Sequence, residues 1–123
     1  MVTPTGRDET RRRAERLRRS QDFVTVMRSG RRSRHRLLHI AVRGNGLPQS
    51  RFGFSVGRRV GKAVVRNRVK RRLRAIMREL RVRAGYDIVT IAQESAAQAS
   101  FGELRTALTD CLGRAGALER EGA

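Results

Sequence analysis

Residues 51–74 read RFGFSVGRRVGKAVVRNRVKRRLR, and two periodicities meet in them. Phe52, Phe54 and Val56 alternate, which predicts a strand over 51–56. Gly57 and Gly61 bracket Arg58-Arg59-Val60, a loop whose backbone can come close to a partner. Beyond it, Val65, Val69, Leu73, Ile76 and Leu80 follow steps of four, four, three and four, which predicts a helix over 62–83. At roughly 100° per residue these five positions share an arc of about 80°. Asn67, Arg71, Arg74 and Arg78 lie opposite, with Lys70 nearby and Arg66 and Arg68 on the two flanks. One face of this helix is therefore core and the remainder is basic. A membrane-surface helix shares the pattern but normally carries bulkier apolar residues. Val, Leu and Ile suit packing on a sheet.

The flanks complete the architecture. RLLHIAVR (36–43) alternates as a well-covered strand, and GNGLPQS (44–50) is rich in turn residues. Together with 51–56 this predicts a hairpin. Upstream, Ser20 is the expected N-cap of a short helix over 21–29, with Phe23, Val26 and Met27 on its apolar side and Gly30 as its stop. Downstream, YDIVTIA (86–92) predicts a buried strand. Ser100 with Glu103 matches a capping box, and Leu104, Ala107, Leu108, Cys111, Leu112 and Ala115 mark the core face of a last helix. Helix, hairpin, helix, strand and helix make a single α+β sandwich. Residues 1–19 are expected to be a flexible basic arm, 20–118 the domain and 119–123 a tail.

Charge narrows the function. The chain has 123 residues, 29 basic and 11 acidic, for a net charge of +18. Residues 31–83 alone carry +17, residues 1–30 carry +4 and residues 84–123 carry −3. Such density favours a polyanionic partner, and nucleic acid is the obvious one, since phosphate contacts draw on Lys and Arg. The single cysteine, Cys111, excludes a disulfide framework and a cysteine-built zinc site, and fits a reducing cytoplasm. No apolar run is long enough to span a membrane, and the start of the chain has no secretory h-region. Neither His35 nor His39 is expected to be catalytic; His39 alternates within a strand, where a structural role is the expectation. With few acids and no catalytic motif, no catalytic residue and no metal site is expected in the protein.

The stretch 51–74, and above all Gly61-Lys62-Ala63-Val64-Val65-Arg66-Asn67-Arg68-Val69-Lys70-Arg71, resembles the bacterial ribonuclease P protein subunit family. Phe23, Val26 and Gly30 resemble its first helix, Tyr86 to Val89 its last strand and Leu104 to Leu112 its last helix, so the likeness covers roughly 16–118. The resemblance implies a small, mostly antiparallel four-stranded sheet with a left-handed β-α-β crossover. It implies an endoribonuclease whose catalyst is a large RNA, which removes the 5′ leader of precursor transfer RNA with magnesium held mainly by the RNA. The implied partners are that catalytic RNA and the precursor; no protein partner is required. By position, Arg58, Arg59, Lys62, Arg66, Asn67, Arg68, Lys70, Arg71 and Arg74 are the implied RNA contacts. Phe23, Met27, Ser55 and Arg58 are the implied leader contacts. Met27 and Ala41 stand where many relatives place aromatics, and Gly57 where a serine is usual. The alternative is a structural RNA-binding protein of ribosomal type with no part in cleavage. A DNA-binding module using the 62–83 helix is less favoured, because that helix lacks a helix-turn-helix partner.

Overall fold

The computed structural model describes residues 15–17 and 20–119; the expected tail beyond 119 and most of the arm lie outside them, as does the side chain of Ser20. In chain order the elements are β1 (Glu15–Arg16), α1 (Ser20–Ser29), β2 (Arg31–Arg34), β3 (Leu38–Gly44), β4 (Arg51–Ser55), a 3₁₀ turn (Arg58–Val60), α2 (Ala63–Glu79), β5 (Tyr86–Ala92), a second 3₁₀ turn (Glu94–Gln98) and α3 (Phe101–Arg114). They form one sheet of order β1-β4-β5-β3-β2. Among the four longer strands, β2–β3 and β3–β5 are antiparallel and β4–β5 is parallel, and the two-residue β1 adds a second parallel pairing. The sheet is thus mixed. The β-α-β crossover runs from β4 through α2 to β5, its parallel neighbour.

The expected hairpin between 36–43 and 51–56 does not form. β5 lies between these two strands and pairs with both. The reason is burial: Asp87, Ile88, Val89 and Thr90 are all buried, so β5 is covered on both faces and is suited to the centre, not to an edge. β3 finds its antiparallel partner in β2, a strand absent from the sequence reading because RRSR reads as a charge run. Of its four residues only Ser33 is buried, which fits an edge strand guarded by charge.

Two layers of side chains cover the sheet. On one face Leu38, Ile40, Val42, Ile88 and Ala92 meet Val69, Leu73, Ile76 and Met77 of α2 and Leu104, Leu108 and Leu112 of α3. On the other face Val26 of α1 packs with Leu17, Ala41 and Val89. Leu17 belongs to the segment expected as a loose arm, but its N–H donates to the Phe52 carbonyl at 3.0 Å and its side chain is buried. Residues 15–17 therefore pack with the domain.

Helix ends follow local chemistry. The Ser100–Glu103 capping box forms as expected, each partner satisfying the other's backbone N–H. α2 ends at Glu79, four residues before the expected end, because Leu80 turns into the core and Val82 bridges to Leu118. α1 does end before Gly30, where the backbone passes so close to Val26 that a Cβ would lie 2.4 Å from its carbonyl oxygen, so that only glycine fits.

Candidate nucleic-acid interface

α2 sorts its cations by what lies beside them. Arg66 Nε donates to the Gly61 carbonyl at 3.1 Å, closing the turn that leads into the helix. Gly61 adopts φ 152°, a left-handed conformation that favours glycine. Arg68 Nη2 donates to the Ala97 carbonyl at 2.8 Å, and Arg72 Nη1 to the Ala99 carbonyl at 3.0 Å. Both guanidinium groups therefore turn toward the turn ahead of α3, and Arg68 Nε is buried with no partner. Of the Arg-Asn-Arg element only Asn67 is exposed, and Arg66 and Arg68 are half-buried.

The other positions expected to meet RNA are left facing outward. Arg58, Arg59, Lys62, Asn67 and Arg71 are exposed, and Lys70 and Arg74 partly so. Among the described residues these side chains make no hydrogen bond or ion pair. Arg74 titrates below the usual guanidinium value, first through partial burial and then through the like charges of Arg16 and Arg78. Arg16 comes from β1, so the docked segment adds a cation to the α2 surface. Crowded, unpartnered cations of this kind are relieved by phosphate.

A second surface lies on the opposite face, beside α1. Strand register sets it out in rows. Arg32, Ala41, Val89 and Gly53 make one row across four strands, and Arg34, His39, Ile91 and Ser55 make the next. α1 covers the first row: Val26 packs on Ala41 and Val89, and the Phe23 ring lies so close to Gly53 that an added Cβ would come within 2.4 Å of it. The second row is more open, with Arg34 and Ser55 exposed and His39 and Ile91 half-buried. At the Ser55 end it runs into a groove of about 480 Å³ lined by Ser55, Arg58, Arg59, Ile91 and Gln93, among others. Phe23, Met27, Ser55 and Arg58, the positions implied to hold a leader, thus border one continuous surface. His39, Ile91 and Arg34 join them. Only register could have found these three, because it alone places His39 beside Ile91.

Most of the described carboxylates are committed elsewhere, Glu94 of the groove lining excepted. Buried Asp87 accepts from Arg51 at 2.8 and 2.6 Å and from Asn45 at 2.9 Å, which ties β4, β5 and the 44–50 loop together. Arg51 also reaches Asp22 of α1 at 3.7 Å. Glu79 pairs with Arg105, and Asp110 with Arg114. Among the described residues no three His, Cys, Asp or Glu side chains are grouped to hold a metal ion, and no helix is long and apolar enough to cross a membrane.

Comparison with known proteins gives one answer. The family model described as Ribonuclease P matches residues 12–116. The ribonuclease P protein component of Symbiobacterium thermophilum is 45% identical over 115 residues, covering 90% of this chain and 99% of that protein. That of Acidothermus cellulolyticus is 46% identical over 103 residues, covering 80% and 86%. Among solved structures, the Thermotoga maritima RNase P protein matches with TM-score 0.74 and 33% identity, over 81% of this chain and 96% of that one. The Staphylococcus aureus RNase P protein shares the fold with TM-score 0.78 at 24% identity, over 87% and 100%. With the family match spanning nearly all of the described residues, this chain belongs to the ribonuclease P protein family.

Proposed function

We propose that the chain is the protein subunit of ribonuclease P and assists a catalytic RNA in endonucleolytic removal of the 5′ leader from precursor transfer RNA. One observation carries this reading beyond family membership. Cations without acidic partners occupy two surfaces that meet at the Arg58–Arg59 turn, the outward face of α2 and the row-and-groove surface beside α1. A subunit that only stabilised a folded RNA would need the first. A second, narrower surface with a ring, a hydroxyl and arginines suits a single strand, whose bases are free to stack. In this reading the α2 face and the Arg58–Arg59 turn meet the catalytic RNA, and Phe23, Met27, Ser55 and Arg58 hold the leader.

Catalysis belongs to the RNA in this proposal. Magnesium, when bound, supplies the metal chemistry of the cleavage. The residues present do not fit it: of the described carboxylates, Asp22, Glu79, Asp87 and Asp110 are paired with arginines, Glu103 caps α3, and Glu94 in the groove belongs to no group of three His, Cys, Asp or Glu side chains. The protein contributes charge neutralisation and substrate grip.

The test is reconstitution. Purified protein, its cognate catalytic RNA and a precursor are mixed at low magnesium, and 5′ leader release is measured. Stimulation over RNA alone is expected. Tight RNA binding without stimulation would favour the ribosomal-type alternative and overturn the proposal.

A further inference from the structure

The surface beside α1 is short of rings. Phe52, Phe54 and Tyr86 pack on the opposite face against α2 and α3, and Phe101 starts α3. His35 is committed to the chain turn before β3, where its Nδ1 accepts from the Leu37 N–H at 3.0 Å. Among the described residues this leaves Phe23 and His39 as the rings of the α1 face. Phe23 is laid on the Gly53 row. His39 stands in the open row, with exposed Arg34 on one side and Ile91 on the other. Two interstrand gaps and one two-residue step along a strand separate the two positions, about 12 Å by ordinary sheet spacing. One base cannot touch both rings, so each is free to take its own.

We propose that His39 is a binding residue of this surface, whose imidazole stacks an unpaired base of the leader while Arg34 takes the adjoining phosphate. The inference rests on the leader-binding reading above and deepens it. A flat imidazole beside a guanidinium presents a π-face and a phosphate donor side by side, the pair of contacts by which single strands are held. Ile91 and Ser55 continue the floor toward Arg58, so a strand crossing the row passes directly into the groove.

Proton uptake is the signature of this arrangement. Partial burial, and then the charges of Arg34 and Arg32 on β2, hold the His39 pKa below the ordinary 6.5. β5 presents uncharged Ile91 beside it, and the residues that α1 packs on this face of the sheet, Phe23, Val26 and Met27, are uncharged too. Glu94 lines the adjoining groove. A phosphate at Arg34 removes that repulsion and sets its own negative charge beside the imidazole, which favours the protonated ring against its burial, so His39 binds a proton as the strand binds. Leader affinity therefore rises as pH falls.

The test uses the holoenzyme with a precursor made uncleavable at the scissile phosphate, and with mature transfer RNA, from pH 8 to pH 5.5. Wild type should prefer the precursor, increasingly so toward low pH. His39→Ala should weaken precursor binding about tenfold and leave mature transfer RNA binding unchanged. His39→Phe should recover binding at pH 8 but lose the dependence on pH. Precursor binding by both variants equal to wild type at every pH would overturn the inference while leaving the leader-binding reading intact. Equal loss on precursor and mature transfer RNA would assign His39 a structural role and overturn it as well. Wild type with no preference for the precursor would overturn both readings.

Discussion

Replacing Arg68 tests whether a cation of the Arg-Asn-Arg element serves the fold or the RNA. Its Nη2 donates to the Ala97 carbonyl at 2.8 Å, two residues before the Ala99 carbonyl held by Arg72 and three before the Ser100 cap of α3. A hydrogen bond from a charged group contributes about 1.5–3 kcal/mol. Against this stands Arg68 Nε, buried without a partner, whose removal returns about 1 kcal/mol. The expected net loss for Arg68→Met, which keeps most of the packing volume, is about 0.5–2 kcal/mol. For a domain of about 100 residues that lowers Tm by roughly 2–10 °C. Arg71→Ala is the control: Arg71 is exposed and unpartnered, so stability should change by less than about 0.5 kcal/mol. The salt dependence of RNA binding should behave in the opposite sense. Each phosphate contact contributes close to one unit of slope in log K against log salt. Arg71→Ala should lose up to about one unit and Arg68→Met close to none. Calorimetry and a salt titration of RNA affinity read both quantities. An Arg68→Met protein as stable as wild type but with a flattened salt slope would refute the division of labour argued from these bonds.

Other outcomes follow from the same contacts. Gly53→Ala places a Cβ 2.4 Å from the Phe23 ring, so the ring must move off the sheet; stability should fall by about 1–2 kcal/mol, and precursor binding should weaken more than binding of mature transfer RNA. Asp87→Asn leaves the Arg51 guanidinium facing a neutral amide between β4 and β5, and urea unfolding should show a loss of about 3 kcal/mol. Acid titration should expose the cap of α3. The Ser100 backbone N–H, then its hydroxyl, hold Glu103 below 4.5, so this stabilisation is present above 4.5 and is lost as pH falls through the folded value. Glu103→Ala should therefore lower Tm at pH 6 and show a shallower decline toward pH 3 than wild type.

The parts of the fold that a single segment decides were legible. Val69, Leu73 and Ile76 are buried as their spacing predicts, and Ser100 with Glu103 caps α3 as its local pattern predicts. What depends on competition between segments was not. Alternation in β3 and β4 identifies faces but not neighbours, and both strands gain more by flanking β5 than by pairing with each other. β2 and β1 escape notice because each is short, made of polar and charged residues, and strand-forming only against a partner edge. The same limit applies to the site. A helical plot separates Arg68 from Arg71, but only the packed turn at Ala97 shows that Arg68 has a carbonyl to serve. His39 looks like any alternating strand residue until the register sets it beside Ile91 and Arg34.

The position of β5 has a consequence for how the chain comes to be folded. β5 follows β1 through β4 in the chain yet sits in the middle of the sheet. During synthesis β4 has only the two-residue β1 beside it until residue 92 has emerged, and the β2–β3 ribbon waits equally long for the strand that would join it to β4. Non-local pairing of this kind delays folding to the last available moment. The segment that waits is the one carrying +17 across residues 31–83. For that interval the nascent chain is an unfolded polycation, open to any RNA nearby. A truncation ahead of Tyr86 should never leave that condition, so the domain is made whole or not at all.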